Sequence, residues 1–198
     1  DGVGYAFNMD DAVHWNTLTS SIKTIAKYAS PDVNGAIAYK GAEPRKVLTV
    51  STVGKARSLC QEIAMKNGGV ALNFSHAMMV GENPAEAIAF LSRSNKLFQL
   101  YLSDSYHSAD DMLISGSVHM WETMEALFYL KVTKYKGYLT LDMQPKRIDA
   151  IQACQIAAGN VAILWKKLEK IDTTELRKAQ KTLDAVESQK IIRRAMLQ

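Results

Sequence analysis

Four apolar segments of the sequence each end in polar residues of the kinds that bind sugars or metal ions. The segments are residues 36–40, 71–76, 100–104 and 139–142, and a stretch with helical character follows each of them. Parallel strands joined through helices bring their carboxyl ends to one edge of the sheet, where the following loops meet in a pocket. The polar residues at these four ends are therefore the candidate functional residues.

The spacing of apolar residues predicts the elements that position these ends. It predicts strands near residues 35–40, 70–74, 98–102 and 139–142, and helices near 11–29, 55–66, 83–92, 118–133, 146–170 and 173–197. Asn67-Gly68-Gly69 predicts a helix stop, and Asn83-Pro84 a helix start. Strands that alternate with helices predict an α/β fold with a parallel sheet and right-handed crossovers.

Composition and length favour one globular domain. The 198 residues are 47% apolar and 22% charged, and no apolar run reaches the roughly 20 residues that span a bilayer. Without a recognisable signal peptide, the chain is predicted to be cytoplasmic. The net charge of +4 comes largely from C-terminal helices in which acids alternate with bases, so neither nucleic acid nor a membrane is a predicted partner. Cys60 and Cys154 are predicted to be buried thiols.

Motifs at the four strand ends resemble one known family, the xylose-isomerase-like TIM barrels, which include sugar isomerases and ketose epimerases. Residues 39–45 (Tyr-Lys-Gly-Ala-Glu-Pro-Arg) resemble the family's signature after its fifth strand, and residues 73–77 with 81–87 resemble the sixth. The seventh strand and its loop resemble residues 103–106, 110–112 and 116–122, and the eighth resembles residues 141–145 with Arg147 and Asp149.

The resemblance implies strands 5–8 of a (β/α)₈ barrel. Within one domain, residues 1–34 would be the loop and helix before strand 5, residues 35–146 the four strands, and residues 147–198 the C-terminal helices. A half-barrel has open sheet edges, which tend to pair with another chain. Two alternatives therefore stay open: a fragment held against its missing half, or an oligomer in which another chain supplies the N-terminal half of the barrel.

The resemblance also implies a divalent ion, Mg²⁺ or Mn²⁺, held by carboxylates and a histidine at these strand ends. Ala38, Asn73 and Tyr101 stand at three of the ligand positions, and Asp142 retains its carboxylate. Asp142, Asp111 and a vestigial Asn73 are the remaining metal-ligand candidates, with His76 as a further accessory ligand. We therefore expect that the ion is not bound tightly.

The family's other site positions imply roles for further residues. Lys40 and His76 are the catalytic candidates. Each has a plainer alternative: a salt bridge with Glu43 for Lys40, and a hydrogen-bonded core position for His76. Asp110 and Asp111 are equally consistent with an acidic pair at a helix entry. The substrate-binding candidates are Tyr5, Phe7, Glu43, Arg45 and His119.

Three functions follow as hypotheses. The first is a sugar isomerase or epimerase with a degenerate metal site and reduced or absent activity. The second is a non-catalytic scaffold or sugar-binding subunit that completes a barrel with another chain. The third is a phosphodiester-processing enzyme like the endonuclease IV branch of this architecture. Such an enzyme needs a cluster of histidines and carboxylates to hold several zinc ions. The chain has four histidines in all, which argues against this hypothesis.

Overall fold

The computed structural model describes residues 6–29, 32–43 and 46–197. Tyr5 and Arg45, two of the candidate substrate-binding residues, lie outside the described residues. The same is true of the Glu43 side chain, although the backbone of Glu43 is described.

Strands and helices alternate along the described residues. The strands are β1 (Gly35–Ala38), β2 (Ala42–Glu43), β3 (Lys46–Val47), β4 (Gly68–Asn73), β5 (Leu97–Leu102) and β6 (Leu139–Leu141). The helices are α1 (Asp11–Tyr28), α2 (Val53–Ile63), α3 (Phe74–Met79), α4 (Pro84–Ser92), α5 (Met120–Val132), α6 (Ala150–Leu168), α7 (Thr173–Lys181) and α8 (Ala185–Leu197).

The strands form a parallel sheet in the order β1-β4-β5-β6. Its register pairs Ala38 with Ala71, Asn73 with Tyr101, and Leu102 with Leu141. The predicted α/β fold with a parallel sheet is confirmed. Since all four strands run the same way, their carboxyl ends lie along one edge of the sheet.

The core lies where the central strands meet the helices. In β4, every residue from Gly69 to Asn73 is buried, as expected for a parallel strand covered on both faces. Leu72 and Leu100 of the sheet and Ile88 and Leu127 of the helices are fully buried in one cluster. Full burial of such a side chain contributes about 1.5–3 kcal/mol to the free energy of unfolding, so this cluster anchors the strand ends.

The edge of the sheet at β1 is much more open. Three of its four residues are exposed, and α1, which packs beside α2, buries none of its residues. Ile25, an apolar residue of α1, is 68% exposed. Among the described residues, no strand pairs with the outer edge of β1.

Asparagine side chains begin two of the helices. Asn73 accepts hydrogen bonds from the backbone N–H groups of Ser75 and His76, and so caps α3. The strand predicted over residues 70–74 therefore ends at Asn73, because this cap starts a helix at Phe74. Asn83 caps α4 in the same way, with Pro84 as its first residue, which confirms the predicted start.

Two sequence predictions are wrong. The single helix predicted over residues 173–197 is divided into α7 and α8, because Leu183 adopts a left-handed conformation (φ 54°) and Asp184 accepts a hydrogen bond from Glu187 N at the start of α8. Cys154 is exposed whereas Cys60 is buried, because α6 buries Ala153 and Ala157 instead. The short hairpin of β2 and β3 had no sequence signal.

Among the described residues, the helices include none with the length and apolar character that crossing a membrane requires.

Candidate functional site

A cleft of about 510 Å³ lies at the carboxyl edge of the sheet, near the ends of β1, β4 and β6. The polar side chains that line it include His14, Lys40, Thr49, His76, Asp110 and Asp142. Three of the sequence-predicted site residues, Lys40, His76 and Asp142, are thus brought together, as expected for strand ends that share one edge.

Asp110 links the two catalytic candidates. Lys40 Nζ and His76 Nε2 each lie 3.0 Å from Asp110 Oδ2. The hydrogen bond from His76 holds the pKa of Asp110 below its ordinary value; burial opposes this shift and Lys40 adds to it. Asp110 is therefore an ionised acceptor near neutral pH. Its other oxygen, Oδ1, is buried and has no hydrogen-bond partner, so it is an unfilled acceptor.

Both ring nitrogens of His76 face acceptors. Nε2 meets the Asp110 carboxylate, and Nδ1 lies 3.0 Å from the backbone carbonyl oxygen of Tyr39. Because a carbonyl and a carboxylate only accept, a doubly protonated imidazolium satisfies both contacts. The structure thus orients His76 firmly, with its polar atoms occupied on both sides.

Tyr39 secures the loop on which Lys40 lies. Its side chain is 1% exposed, and its hydroxyl donates to Glu82 Oε2 at 2.8 Å. Glu82 Oε1 in turn accepts from Val53 N, at the first residue of α2, at 2.9 Å. Burial is the main cause that raises the pKa of Tyr39, so the phenol stays protonated and keeps donating this hydrogen bond.

Asn73 and Asp142 form a direct contact next to the cleft. Asn73 Nδ2 donates to Asp142 Oδ2 at 2.7 Å. The amide cannot rotate freely, because Asn73 Oδ1 already accepts from Ser75 N at 2.9 Å and His76 N at 3.3 Å. The cap on α3 therefore fixes which end of the amide faces the carboxylate.

This geometry does not fit the divalent ion that the resemblance implies. The oxygen of Asn73 is occupied by the helix cap and its NH₂ group points at Asp142 Oδ2, so Asn73 presents no ligand oxygen beside that carboxylate. Ala38 has no donor atom. Among the described residues, no group of three His, Cys, Asp or Glu side chains could hold one metal ion.

The remaining described candidates lie apart from this cluster. Asp111 is exposed and accepts from Tyr106 N at 2.7 Å. Phe7 is fully exposed. His119 does not line the cleft; it contacts Asp104 instead.

Asp104, His119 and His107 form a second polar cluster. Asp104 is completely buried and accepts from the backbone N–H groups of Ser105, Val118 and His119. It also accepts from His119 Nδ1 at 2.8 Å, and His119 Nε2 lies 2.9 Å from His107 Nε2.

Sequence reasoning did not assign Asp110, Asp104, His14 or His107 to a site. Asp110 meets His76 across 34 positions, and His14 meets Thr49 across 35. Contacts of that length depend on how the loops cross the strand ends. The pair Asp110-Asp111 was a usable signal, although the sequence did not indicate which of the two faces the cleft.

Known structures give the fold independent support. The chain resembles a D-tagatose 3-epimerase-like protein at 22% identity and a TM-score of 0.64, covering 78% of this chain and 57% of that one. A D-psicose 3-epimerase solved in the presence of D-fructose matches at 17% and 0.65, covering 81% and 58%. A xylose isomerase domain protein from Alicyclobacillus acidocaldarius matches at 16% and 0.63, covering 81% and 61%.

These likenesses support the (β/α) barrel type of fold that was predicted for the chain. The chain spans less than two thirds of the length of these structures, which agrees with part of a barrel. No protein-family model and no curated protein sequence matches the chain.

Proposed function

We propose that this chain carries part of the sugar site of a xylose-isomerase-like protein. In this proposal the cleft binds a sugar through hydrogen bonds alone, without a tightly held divalent ion and with little or no isomerase activity. The observation that carries the proposal is the 2.7 Å hydrogen bond from Asn73 Nδ2 to Asp142 Oδ2.

The NH₂ group of Asn73 occupies the space beside Asp142 Oδ2 where an ion shared by the two residues would lie. For an ion to bind between the two residues, the amide of Asn73 would have to turn its oxygen toward the ion. That rotation would remove the acceptor from Ser75 N and His76 N and leave the start of α3 uncapped. Loss of such a cap costs about 0.5–2 kcal/mol, which opposes ion binding further.

The cleft has the size and chemistry that a small sugar needs. Its volume of about 510 Å³ falls in the usual range for small-ligand sites, roughly 300–1,000 Å³. Asp142 and Asp110 supply acceptors for hydroxyl groups, and Lys40 supplies a cationic donor. Because two of the similar structures are named for ketose epimerases, ketohexoses are the proposed ligand class.

The residues of the cleft are poorly suited to catalyse sugar isomerisation without the ion. In metal-assisted isomerisation, the ion stabilises charge that develops on the sugar oxygens, and the residues here leave no room for that role. Asp110 is a weak base because its pKa is lowered by His76 and Lys40, while the best general bases titrate near the working pH. The arrangement therefore favours binding over turnover.

Calorimetric titration tests this proposal with D-fructose, D-tagatose and D-psicose, each with excess chelator or with Mn²⁺. We expect saturable binding of at least one sugar, equal affinity in both buffers, and no interconversion by chromatography. A variant with Asp142→Asn and Asp110→Asn is the matched control, and it should lose binding. Sugar turnover that requires one tightly bound Mn²⁺ per chain would overturn the proposal.

We further propose that the rest of the barrel comes from polypeptide outside this sequence, in the same protein or in a partner. The exposed β1 edge and α1 support this proposal, as does the partial coverage of the similar structures. The alternative function, a structural subunit of a complete barrel, then needs no sugar affinity. Native mass spectrometry of the protein from its source cells, combined with the sugar titration, distinguishes a sugar-binding part of the barrel from a purely structural subunit.

The free thiols Cys60 and Cys154 suit the cytoplasm as the proposed compartment.

A further inference from the structure

His107 and His119 approach each other outside the cleft through the same ring atom. Their Nε2 atoms lie 2.9 Å apart, and the rings are nearly perpendicular, with centroids 4.5 Å apart. His107 is exposed to solvent, whereas the His119 side chain is 15% exposed. An ion or small molecule from solvent can therefore reach this pair without any opening of the core.

The opposite nitrogen of each ring, Nδ1, faces an acceptor oxygen. His119 Nδ1 lies 2.8 Å from Asp104 Oδ1, in a carboxylate that also accepts from three backbone N–H groups. His107 Nδ1 lies 3.4 Å from the backbone carbonyl oxygen of Met78. Since a carboxylate and a carbonyl only accept, a hydrogen on each Nδ1 would satisfy both contacts.

A neutral imidazole with hydrogen on Nδ1 has a lone pair on Nε2. Two such lone pairs, 2.9 Å apart, repel each other unless either a proton or a metal ion lies between them. We propose that His107 and His119 bind a late first-row divalent metal ion, such as Zn²⁺, between their Nε2 atoms. Water molecules would complete the coordination sphere.

The surroundings of the pair match what a metal-binding histidine needs. Metal-ligating histidines almost always donate their other N–H to a carboxylate or a backbone carbonyl, which fixes the tautomer. Both forms occur here, one on each ring. Imidazole suits zinc, copper and nickel better than it suits magnesium or calcium, so this site differs in preference from the oxygen-ligand site that the family resemblance implied.

The required adjustment is small. With Zn–N bonds of about 2.0–2.1 Å and tetrahedral angles, the two nitrogens would lie about 3.3 Å apart. The exposed ring of His107 can move outward by the few tenths of an ångström that this demands, while Asp104 keeps His119 in place.

Two backbone features accompany the pair. His107 has a left-handed conformation, with φ 68°, which histidine adopts more readily than most residue types. His119 occupies the N-cap position of α5, but its side chain makes no capping hydrogen bond. It is turned toward Asp104 and His107 instead, so the chain forgoes a cap where this pair forms.

Zinc titration of the 198-residue chain by calorimetry, with elemental analysis after dialysis, tests the proposal. His107→Asn is the variant of choice, because asparagine tolerates a left-handed backbone and leaves the Asp104–His119 contact intact. We expect one Zn²⁺ per chain in the wild type, and at least a 10-fold loss of affinity in the variant. His14→Asn is the matched control, and it should retain the wild-type affinity.

Three results would overturn the proposal: no zinc bound by the wild type, equal affinity in His107→Asn, or loss of binding in His14→Asn. Nitrogen-15 spectra of the histidines give an independent readout, since zinc should shift the Nε2 signals of His107 and His119 and spare the Nδ1 signals. If the two rings share a proton instead, zinc will not bind near neutral pH. His107 does not line the cleft, so the sugar titration of wild type and His107→Asn remains a separate test.

Discussion

Asp104 and Asp110 both bind a histidine, yet their surroundings differ greatly. Asp104 is completely buried, and both of its oxygens accept hydrogen bonds, from three backbone N–H groups and His119. Asp110 lines the cleft and receives His76 and Lys40 on one oxygen, while its other oxygen has no partner. The first carboxylate is saturated by the protein itself, whereas the second keeps an acceptor to spare.

This difference separates a structural carboxylate from one suited to ligand binding. A saturated buried acceptor holds its loop in place, because removing it would leave several buried donors without partners. An unfilled acceptor contributes less to the stability of the fold and can be completed by a ligand hydroxyl. Substitution of Asp104 should therefore reduce stability much more than substitution of Asp110.

Replacing Asp104 should have the largest effect. Asp104→Ala leaves the backbone N–H groups of Ser105, Val118 and His119 without their acceptor, and we expect the free energy of unfolding to fall by about 3–5 kcal/mol. Chemical denaturation measures this loss. Asp104→Asn, which keeps one acceptor oxygen, should lose less. Asp110→Ala should cost under about 2 kcal/mol, and an equal loss at both positions would erase the distinction drawn here.

Adding a charge at Asn73 should be the next largest effect. Asn73→Asp replaces the donor that contacts Asp142 with a second carboxylate, and like charges at such short range repel. We expect a clearly lower melting temperature, recovered in part by millimolar Mn²⁺, which should not change the melting temperature of the wild type. Asn73→Ser, which adds no charge but retains a capping oxygen, is the control and should show no response to Mn²⁺. A manganese response in the wild type would contradict the site geometry.

Asp110→Asn should weaken ligand binding and should lower stability at neutral pH but not in acid. The pKa of Asp110 lies below its ordinary value of 3.8 in the folded chain. Its contribution to stability is therefore present above the unfolded-state pKa and disappears as pH falls through the folded-state pKa. Denaturation at about pH 7 should show the wild type more stable than the variant, and at about pH 2 the difference should vanish. A difference that grows on acidification would reverse the assigned sign.

The smallest effects should distinguish the two cations on Asp110. The hydrogen bond from His76 lowers the pKa of Asp110 most, and the one from Lys40 contributes less. Carbon-13 titration of the Asp110 carboxyl should therefore show a larger rise in His76→Leu than in Lys40→Met. The reverse order would mean that Lys40 is the main partner.

The sequence predicted the fold where its signals are local. Strand and helix bounds followed from apolar periodicity, and the start of α4 followed from Asn83 and Pro84, a cap and a first-turn proline that act within a few residues. The cap formed by Asn73 was missed because the same residue also ends an apolar strand, and tertiary packing decided between the two. The break before α8 depends on the backbone of Leu183, a residue type that rarely marks one.

The site was predictable in position but not in detail. Parallel strands bring Lys40, His76 and Asp142 to one edge, so their proximity could be predicted without a structure. The partners that define their chemistry come from loops: Asp110 reaches His76, and His107 reaches His119, only because of how residues 103–119 fold. Neither contact leaves a periodic pattern, so neither could be predicted from residue spacing.

The central position of β4 in the sheet affects how its backbone amides exchange with solvent. It lies between β1 and β5 with its last five residues buried, whereas β1 is exposed along most of its length. Amide protons of Val70 to Leu72 should then exchange with deuterated solvent only when the whole domain unfolds, while those of β1 exchange through local fraying. Among the described strands, β4 should therefore show the slowest amide hydrogen exchange.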